Sequence, residues 1–263
     1  MSISPSRVTE FYESRQGWPV IFVVIALLID GMGMFLAADV AGDRPTLSNP
    51  LVLFGIVHAA ICLCLAVSLL SSRWQWRVEQ QGLVVLVPSV GFGYLFLSSY
   101  LSLMLYSSAS WLVGLIMLLA LVLYHGLWAW RVVTWYGTAW VDESLRASIY
   151  RECDDHIFYT RLGELGIRDK LGVKFFPSNV TMVGGLLVSL GSYFFRHDLT
   201  QYFGAQWVPI AFAIGGFTMS IFATTLVTMS VLLYFVYPRI LKRQTGKSVF
   251  IDLLSPSASA PLH

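Results

Sequence analysis

The most constraining feature of this chain is a long stretch without formal charge. From Gly82 to Trp130, 49 consecutive residues include no Asp, Glu, Lys or Arg. A helix needs about 20 apolar residues to cross about 30 Å of hydrocarbon, because each residue rises about 1.5 Å. The stretch is therefore long enough for two crossings, and the small polar cluster around Ser107, Ser108 and Ser110 marks the predicted turn between them.

The rest of the sequence has the same membrane character. Hydrophobic residues make up 56% of the 263 residues and charged residues only 12%, where a soluble domain has about 25% charged residues. The predicted fold class is an all-α integral membrane protein, a bundle of six transmembrane helices. Its apolar segments are residues 18–38, 50–70, 82–105, 109–130, 178–195 and 207–237. We interpret the first as a retained span, because it is longer than the apolar region of a signal peptide.

Lys and Arg residues fall almost entirely on one side of this arrangement. Fifteen of the 17 lie in the N-terminal arm (1–17), the connection after the second span, the 131–177 connection and the tail (238–263). The other connections hold only Arg44 and Arg196. Positively charged loops stay in the cytoplasm, so both termini are predicted to be cytoplasmic. The expected location is the plasma membrane, with a bacterial inner membrane as the preferred case.

These segments predict a four-span bundle over 18–130, followed by a two-span hairpin over 178–237. The connection between them, 131–177, holds seven acidic and seven basic residues. Apolar residues recur in it at every fourth position, which predicts one cytoplasmic amphipathic helix of about four turns. They are Leu145, Ile149, Cys153 and Ile157. Two interpretations stay open for this connection: a solvated helix on the bundle, or a docking surface for a soluble protein.

The tail and the cysteines say less about the fold than the apolar segments do. The tail ends in a segment rich in Ser, Pro and Ala, 255–261, so it is predicted to be partly disordered. Three cysteines are present, Cys62, Cys64 and Cys153, and the first two lie inside a predicted span. An odd number in these positions argues against a disulfide framework.

Three ionisable side chains lie within the predicted spans, where such groups are costly and mark candidate functional sites. They are Asp30, His58 and His125. Residue counting places Asp30 and His58 at the same depth, about 12 Å from the non-cytoplasmic edge. Because consecutive spans with a short connection usually pack together, the two side chains are able to meet as a charge pair, a proton relay or a cation site. The alternative is that Asp30 bonds a hydroxyl group or lines a wet cleft, while His58 only packs.

Small residues form a second group of candidates, because they let helices approach closely in lipid. These positions are Gly31, Gly33, Gly184, Gly185, Gly191, Ala211, Gly215, Gly216 and Ser220. Gly31 and Gly33 would let another helix approach the first span. The other positions predict a tightly packed hairpin of the fifth and sixth spans, and binding of another subunit is the alternative.

Sequence motifs give no support for catalysis. Residues 244–248 end like a phosphate-binding loop, but Leu241 occupies the place of its first glycine. Residues 153–156 would point in different directions on a helix and cannot converge on one metal ion. His125 lies near the cytoplasmic end of its span, so it cannot share a haem with His58. We therefore predict no metal, no cofactor and no nucleic-acid partner, and enzymatic activity is disfavoured.

Two functions from different classes fit these features. The first is a non-catalytic membrane subunit, an accessory, assembly or anchoring component of a multi-protein complex in the lipid bilayer. Its protein partners would bind 131–177 and the small-residue faces of the fifth and sixth spans. The alternative is a small transporter or channel that uses an intramembrane site at Asp30 and His58.

Overall fold

A computed structural model describes residues 17–41, 48–70, 77–106, 111–195, 197, 201 and 207–252. The chain is mostly helical, as expected for a multi-pass membrane protein. Five helices are long and apolar enough to cross a bilayer: Val20–Asp39, Pro50–Leu69, Val78–Tyr106, Trp111–Val141 and Val208–Thr245. A shorter apolar helix, Asn179–Ser192, lies before the last of them.

Helices and strands follow one another in a simple order. The first four helices are α1 (Gly17–Ala41), α2 (Pro50–Leu70), α3 (Val78–Tyr106) and α4 (Trp111–Val141). Short elements come next: α5 (Glu143–Ile149), β1 (Tyr150–Glu152), β2 (His156–Thr160) and α6 (Arg161–Lys170). The chain then forms α7 (Asn179–Phe194), α8 (Trp207–Ser230), a π-helical segment (Val231–Val236), α9 (Tyr237–Thr245) and β3 (Ser248–Asp252).

Helix α3 is the centre of the bundle and contacts α1, α2 and α8. Its buried positions include several serines, which would be costly in hydrocarbon without partners. Two of them bond carbonyls of their own helix: the Ser89 hydroxyl donates to Val85 O at 2.7 Å and the Ser98 hydroxyl to Leu95 O at 2.9 Å. The small side chains let neighbouring helices approach α3, and these bonds satisfy their hydroxyls.

Helix α4 lies at the edge of the bundle. Its buried side chains, Trp128, Val132, Tyr136 and Ala139, all belong to its second half. The first half exposes its apolar side chains; Trp111, for example, is 78% exposed. Such a surface suits hydrocarbon, so this half of α4 has the character of a lipid-facing helix.

The second half of α4 supports a small folded cap, which we define as residues 142–170 together with 246–252. The cap contains a three-stranded sheet in the order β1-β2-β3. Strands β1 and β2 are antiparallel, whereas β2 and β3 run parallel. Its buried side chains, such as Ile157 and Ile251, share one apolar core with Trp128 of α4 and Leu233 of the π-helical segment.

This cap corrects the prediction of one amphipathic helix in the 131–177 connection. Residues 145–157 do not form one amphipathic helix, because α5 ends at Ile149 and β1 begins at the next residue. In β2 the burial alternates, with Ile157 and Tyr159 facing the core. The fourfold spacing of apolar residues also fits such a two-residue strand period, and the partner strand β3 is far away in the sequence. The described residues are thus mostly helical, consistent with the predicted all-α membrane bundle, and the cap adds a small sheet to it.

The first part of the tail is ordered: α9 (Tyr237–Thr245) is followed by β3 (Ser248–Asp252). Gly246 ends α9 in the left-handed conformation, with φ 74°, and its N–H donates to Lys242 O at 2.9 Å. The Ser-, Pro- and Ala-rich segment 255–261 lies outside the described residues.

Candidate functional site

Asp30 of α1 and His58 of α2 meet inside the bundle. The imidazole Nδ1 of His58 lies 2.8 Å from both Oδ1 and Oδ2 of Asp30. Asp30 is fully buried and His58 is 5% exposed. The structure therefore brings together the two residues that share a predicted depth.

Helix α3 completes the surroundings of this pair. The second ring nitrogen, Nε2 of His58, donates to the main-chain carbonyl of Val87 at 3.1 Å. Gly91 lies one turn further along α3, and a Cβ there would come within 3.2 Å of His58 Cε1 and 3.4 Å of Asp30 Oδ1. A residue without a side chain is thus what allows α3 to pack directly against the pair.

Aromatic rings separate the pair from a neighbouring cavity. The Phe54 ring stacks on His58 with centroids 6.1 Å apart, and the Tyr94 ring lies 5.1 Å from Phe54. The Tyr94 hydroxyl is tied to the bundle, because it donates to Leu51 O at 2.9 Å. Gly33 leaves room for the Tyr94 ring, which a Cβ at that position would overlap.

The site has a third member, Cys62, which was not predicted from the sequence. Its Sγ lies 3.8 Å from Asp30 Oδ2 and 3.8 Å from His58 Nδ1, and its side chain is fully buried. From the sequence, Cys62 counts only as one of three cysteines that argue against a disulfide framework. The available signal was spacing: residues four apart on a helix share a face, so His58 and Cys62 point the same way.

Charge balance at this site requires one positive charge. Both ring nitrogens of His58 face acceptors, the Asp30 carboxylate and the Val87 carbonyl. A neutral imidazole has only one N–H, so a bare Asp30 carboxylate would then face a nitrogen lone pair in a buried position. Either a proton shared by the two side chains or a metal ion between them removes this conflict.

His125 belongs to a separate polar cluster between α4 and α8. Its Nδ1 lies 2.5 Å from Thr224 Oγ1, and its Nε2 lies 3.0 Å from Ser220 Oγ. A cavity of about 530 Å³ is lined by Ser220 and Thr224, which contact His125, and by Phe54, which stacks on His58.

The predicted small-residue positions differ in what they contact. Gly185 and Gly215 lie at the contact of α7 with α8, where added Cβ atoms would overlap Thr218 and Ser189. Gly216 faces α3 instead, against the main-chain carbonyl of Phe96. Ala211 of α8 is half-buried. A Cβ would meet no described heavy atom within 4 Å at the remaining positions, which are Gly31, Gly184 and Gly191.

The cap has its own buried polar contacts. Hydroxyl groups of two buried tyrosines bind groups of other segments: Tyr159 donates to Glu164 Oε2 at 2.6 Å, and Tyr150 to Leu233 O at 2.6 Å. Burial raises the pKa of Tyr159 well above its usual range, and Tyr234 and Glu164 add to the effect. At the start of α5, hydrogen bonds from Ser144 and from the Leu145 N–H lower the pKa of Asp142. These contacts fasten the cap, and none of them converges on an open cleft.

Comparison with protein families, curated proteins and solved structures finds no match for this chain. The functional conclusion therefore depends on the geometry of the intramembrane site.

Proposed function

We propose that this chain is a small membrane transporter that binds a cation at Asp30 and His58. The observation that carries this function is the 2.8 Å contact between a fully buried carboxylate and an imidazole whose other nitrogen is already engaged. Among the ion pairs of the described residues, His58 is the partner of Asp30. The pair therefore needs one positive charge, which either a proton on His58 or a bound cation supplies, and transport of a cation uses this exchange.

A purely structural role explains this pair poorly. Buried ion pairs give little net stability, because desolvation offsets the attraction, and apolar replacements are often neutral or stabilising. Small-residue packing already holds α3 close to its neighbours at Gly91 and Gly216. Ionisable side chains that stay inside a span are therefore best explained by a binding function.

Helix α3 also has a feature suited to movement. Pro88 directly follows Val87, the residue whose carbonyl binds His58. Proline has no N–H and removes one backbone hydrogen bond, so a helix bends readily at this point. A bend there would move the Val87 carbonyl relative to His58, and the cavity behind Phe54 and Tyr94 offers space for a route.

For this function we propose that the chain crosses the membrane six times, with both termini in the cytoplasm. The pairing of strands in the sheet supports six crossings. Hydrogen-bonded strands lie on the same side of a membrane, so the chain between β2 and β3 crosses an even number of times. The helix Val208–Thr245 supplies one crossing. Helix α7, 16 residues and about 24 Å long, supplies the other. The bridge between Arg77 and Phe250 supports the same side for the connection before α3.

Ion flux into liposomes tests this function. Purified protein would be reconstituted, and the uptake of Na⁺, K⁺, H⁺ and Zn²⁺ would be measured separately. We expect flux of one of these cations with the wild type, and a loss of at least about tenfold with Asp30→Asn. Asp39→Asn is the matched control, because Asp39 is an exposed carboxylate on the same helix. Absence of flux for all four cations would reject transport, and full flux with Asp30→Asn would reject Asp30 as its cation site.

A second candidate function, an accessory subunit of a membrane complex, is supported by the cap. Its sheet joins distant parts of the chain and exposes charged residues, including Glu152, Asp154 and Asp155. Deleting 142–170 is a poor test, since Ile149, Tyr150 and Ile157 of this segment belong to the apolar core. A better test is the double variant Asp154→Lys, Asp155→Lys, compared with the wild type by chemical crosslinking in native membranes. We expect a crosslinked product with one defined partner in the wild type, and its loss in the variant. Identical crosslinked products would count against docking at this surface.

A further inference from the structure

We propose that Asp30, His58 and Cys62 together bind a transition-metal ion of the zinc class. This inference rests on the cation site proposed above and specifies its ligand. The three side chains are all buried, and their ligand atoms lie within 4.8 Å of one another. They come from two neighbouring helices, with His58 and Cys62 one turn apart on α2.

The donor geometry is close to that of a metal centre. Zinc binds histidine nitrogen and carboxylate oxygen at about 2.0–2.1 Å and thiolate sulfur at about 2.3 Å, which places tetrahedral ligand atoms about 3.3–3.6 Å apart. Here the distances are 2.8 Å between Nδ1 and the carboxylate oxygens and 3.8 Å from Sγ to each partner. Shifts of about half an ångström in three side chains would bring the donors to ligand distances.

The outer surroundings of His58 also fit a metal ligand. A histidine that binds a metal through one nitrogen almost always donates its other N–H to a carboxylate, a carbonyl or water. Nε2 of His58 donates to Val87 O, which leaves Nδ1 directed at Asp30 and Cys62. The backbone of α3 therefore fixes both the tautomer and the orientation of the ring.

The chemical nature of the donors selects the class of ion. One sulfur, one nitrogen and one carboxylate match zinc and related late transition metals, whereas Mg²⁺ and Ca²⁺ prefer oxygen ligands throughout. A divalent ion balances one thiolate and one carboxylate, so the loaded site is neutral in a low-dielectric interior. Binding releases two protons, one from the Cys62 thiol and one shared by Asp30 and His58. The site is thus neutral both with and without the metal.

Cobalt is a suitable probe for this site, because Co²⁺ replaces zinc and absorbs light when it binds thiolate. Full-length, tag-free protein in detergent would be stripped with a chelator and titrated with Co²⁺, and zinc content would be measured by mass spectrometry. We expect one metal ion per chain and a thiolate-to-cobalt charge-transfer band. Cys62→Ser should lose the band and bind at least about tenfold more weakly, as even outer-sphere changes cost 10–100-fold.

Two other cysteines provide matched controls. Cys64 lies on the same helix but is exposed, and Cys153 lies in the cap beside Asp154, Asp155 and His156. Cys64→Ser and Cys153→Ser should keep both the band and the affinity. A wild type without the band, or a Cys62→Ser variant that retains it, would overturn the metal site. If Cys62→Ser fails to fold, X-ray absorption of the zinc-loaded wild type replaces this comparison. We expect one sulfur ligand in the spectrum, and a spectrum without a sulfur ligand would also overturn the metal site.

The outcomes separate this inference from the transport function. Flux of Na⁺, K⁺ or H⁺ that needs Asp30, in a protein that binds no Co²⁺ or Zn²⁺, would reject the metal site and leave transport intact. Metal binding that depends on Cys62 without any ion flux would uphold the metal site and reject transport.

Discussion

The Nδ1 atom of His58 is equidistant from the two carboxylate oxygens of Asp30, at 2.8 Å from each. Nδ1 therefore lies in the plane that bisects the carboxylate, where one proton or one cation is able to interact with both oxygens. Both groups are buried between α1, α2 and α3. Neither side chain can change its charge without affecting the other.

Energetic coupling between these residues follows from that contact. Asp30→Asn and His58→Ala should each destabilise the protein, and the double variant should cost less than the two losses added, because each single change leaves a buried polar group without its partner. We expect a coupling of about 0.6 kcal/mol, the average measured between side chains in membranes, and at most about 1.7 kcal/mol. Unfolding titrations in mixed micelles would measure it. His125→Ala is the control partner, and its effect should add to that of Asp30→Asn within about 0.5 kcal/mol.

Gly91 gives an independent test of how closely α3 packs on the site. Gly91→Val should displace the His58 ring and destabilise the protein by about 1–3 kcal/mol, the usual cost of overpacking. Gly126→Val in α4 is the control, because a Cβ there meets no described atom within 4 Å. Thermal unfolding in detergent would compare the two variants. Equal stability would show that α3 does not contact the pair as described.

Two buried tyrosines of one apolar core predict opposite results for the same substitution. Tyr150→Phe removes the hydroxyl that donates to Leu233 O, and should destabilise the protein by about 0.5–1.5 kcal/mol. The Tyr136 hydroxyl is buried with no hydrogen-bond partner among the described residues. Tyr136→Phe should therefore be neutral or stabilising. Chemical unfolding of both variants provides the measurement, and a larger loss with Tyr136→Phe would contradict the assignment.

Orientation in the membrane can be tested with single cysteines. In a Cys64→Ser, Cys153→Ser background, cysteines at positions 46 and 198, which lie outside the described residues, should react with impermeant thiol reagents added to intact cells. A cysteine replacing Asp155, an exposed residue of the cap, should react only after lysis. Position 164 is unsuitable as a probe, because Glu164 is buried and bonded to Tyr159. Labelling at position 155 from outside would reverse the predicted topology.

Sequence alone determined the features that depend on distance along a helix axis. The rise per residue is nearly constant, so the apolar helices and the common depth of Asp30 and His58 follow from counting. The clustering of positive charge in particular connections can also be counted directly.

Tertiary structure decided which side chains and backbone groups complete the site. The rotation of α2 about its axis decides whether Cys62 faces Asp30. The rotation of α3, and the helices it packs against, decide whether the Val87 carbonyl and Gly91 reach the site. Packing between helices sets that rotation, and hydrophobicity gives almost no information about it in spans that are apolar on every side. The sheet is a similar case, because β2 finds its parallel partner only at the end of the chain. The depth of the site follows from local sequence. The position of Cys62 as a third ligand and the folding of the cap both depend on contacts between residues far apart in the chain.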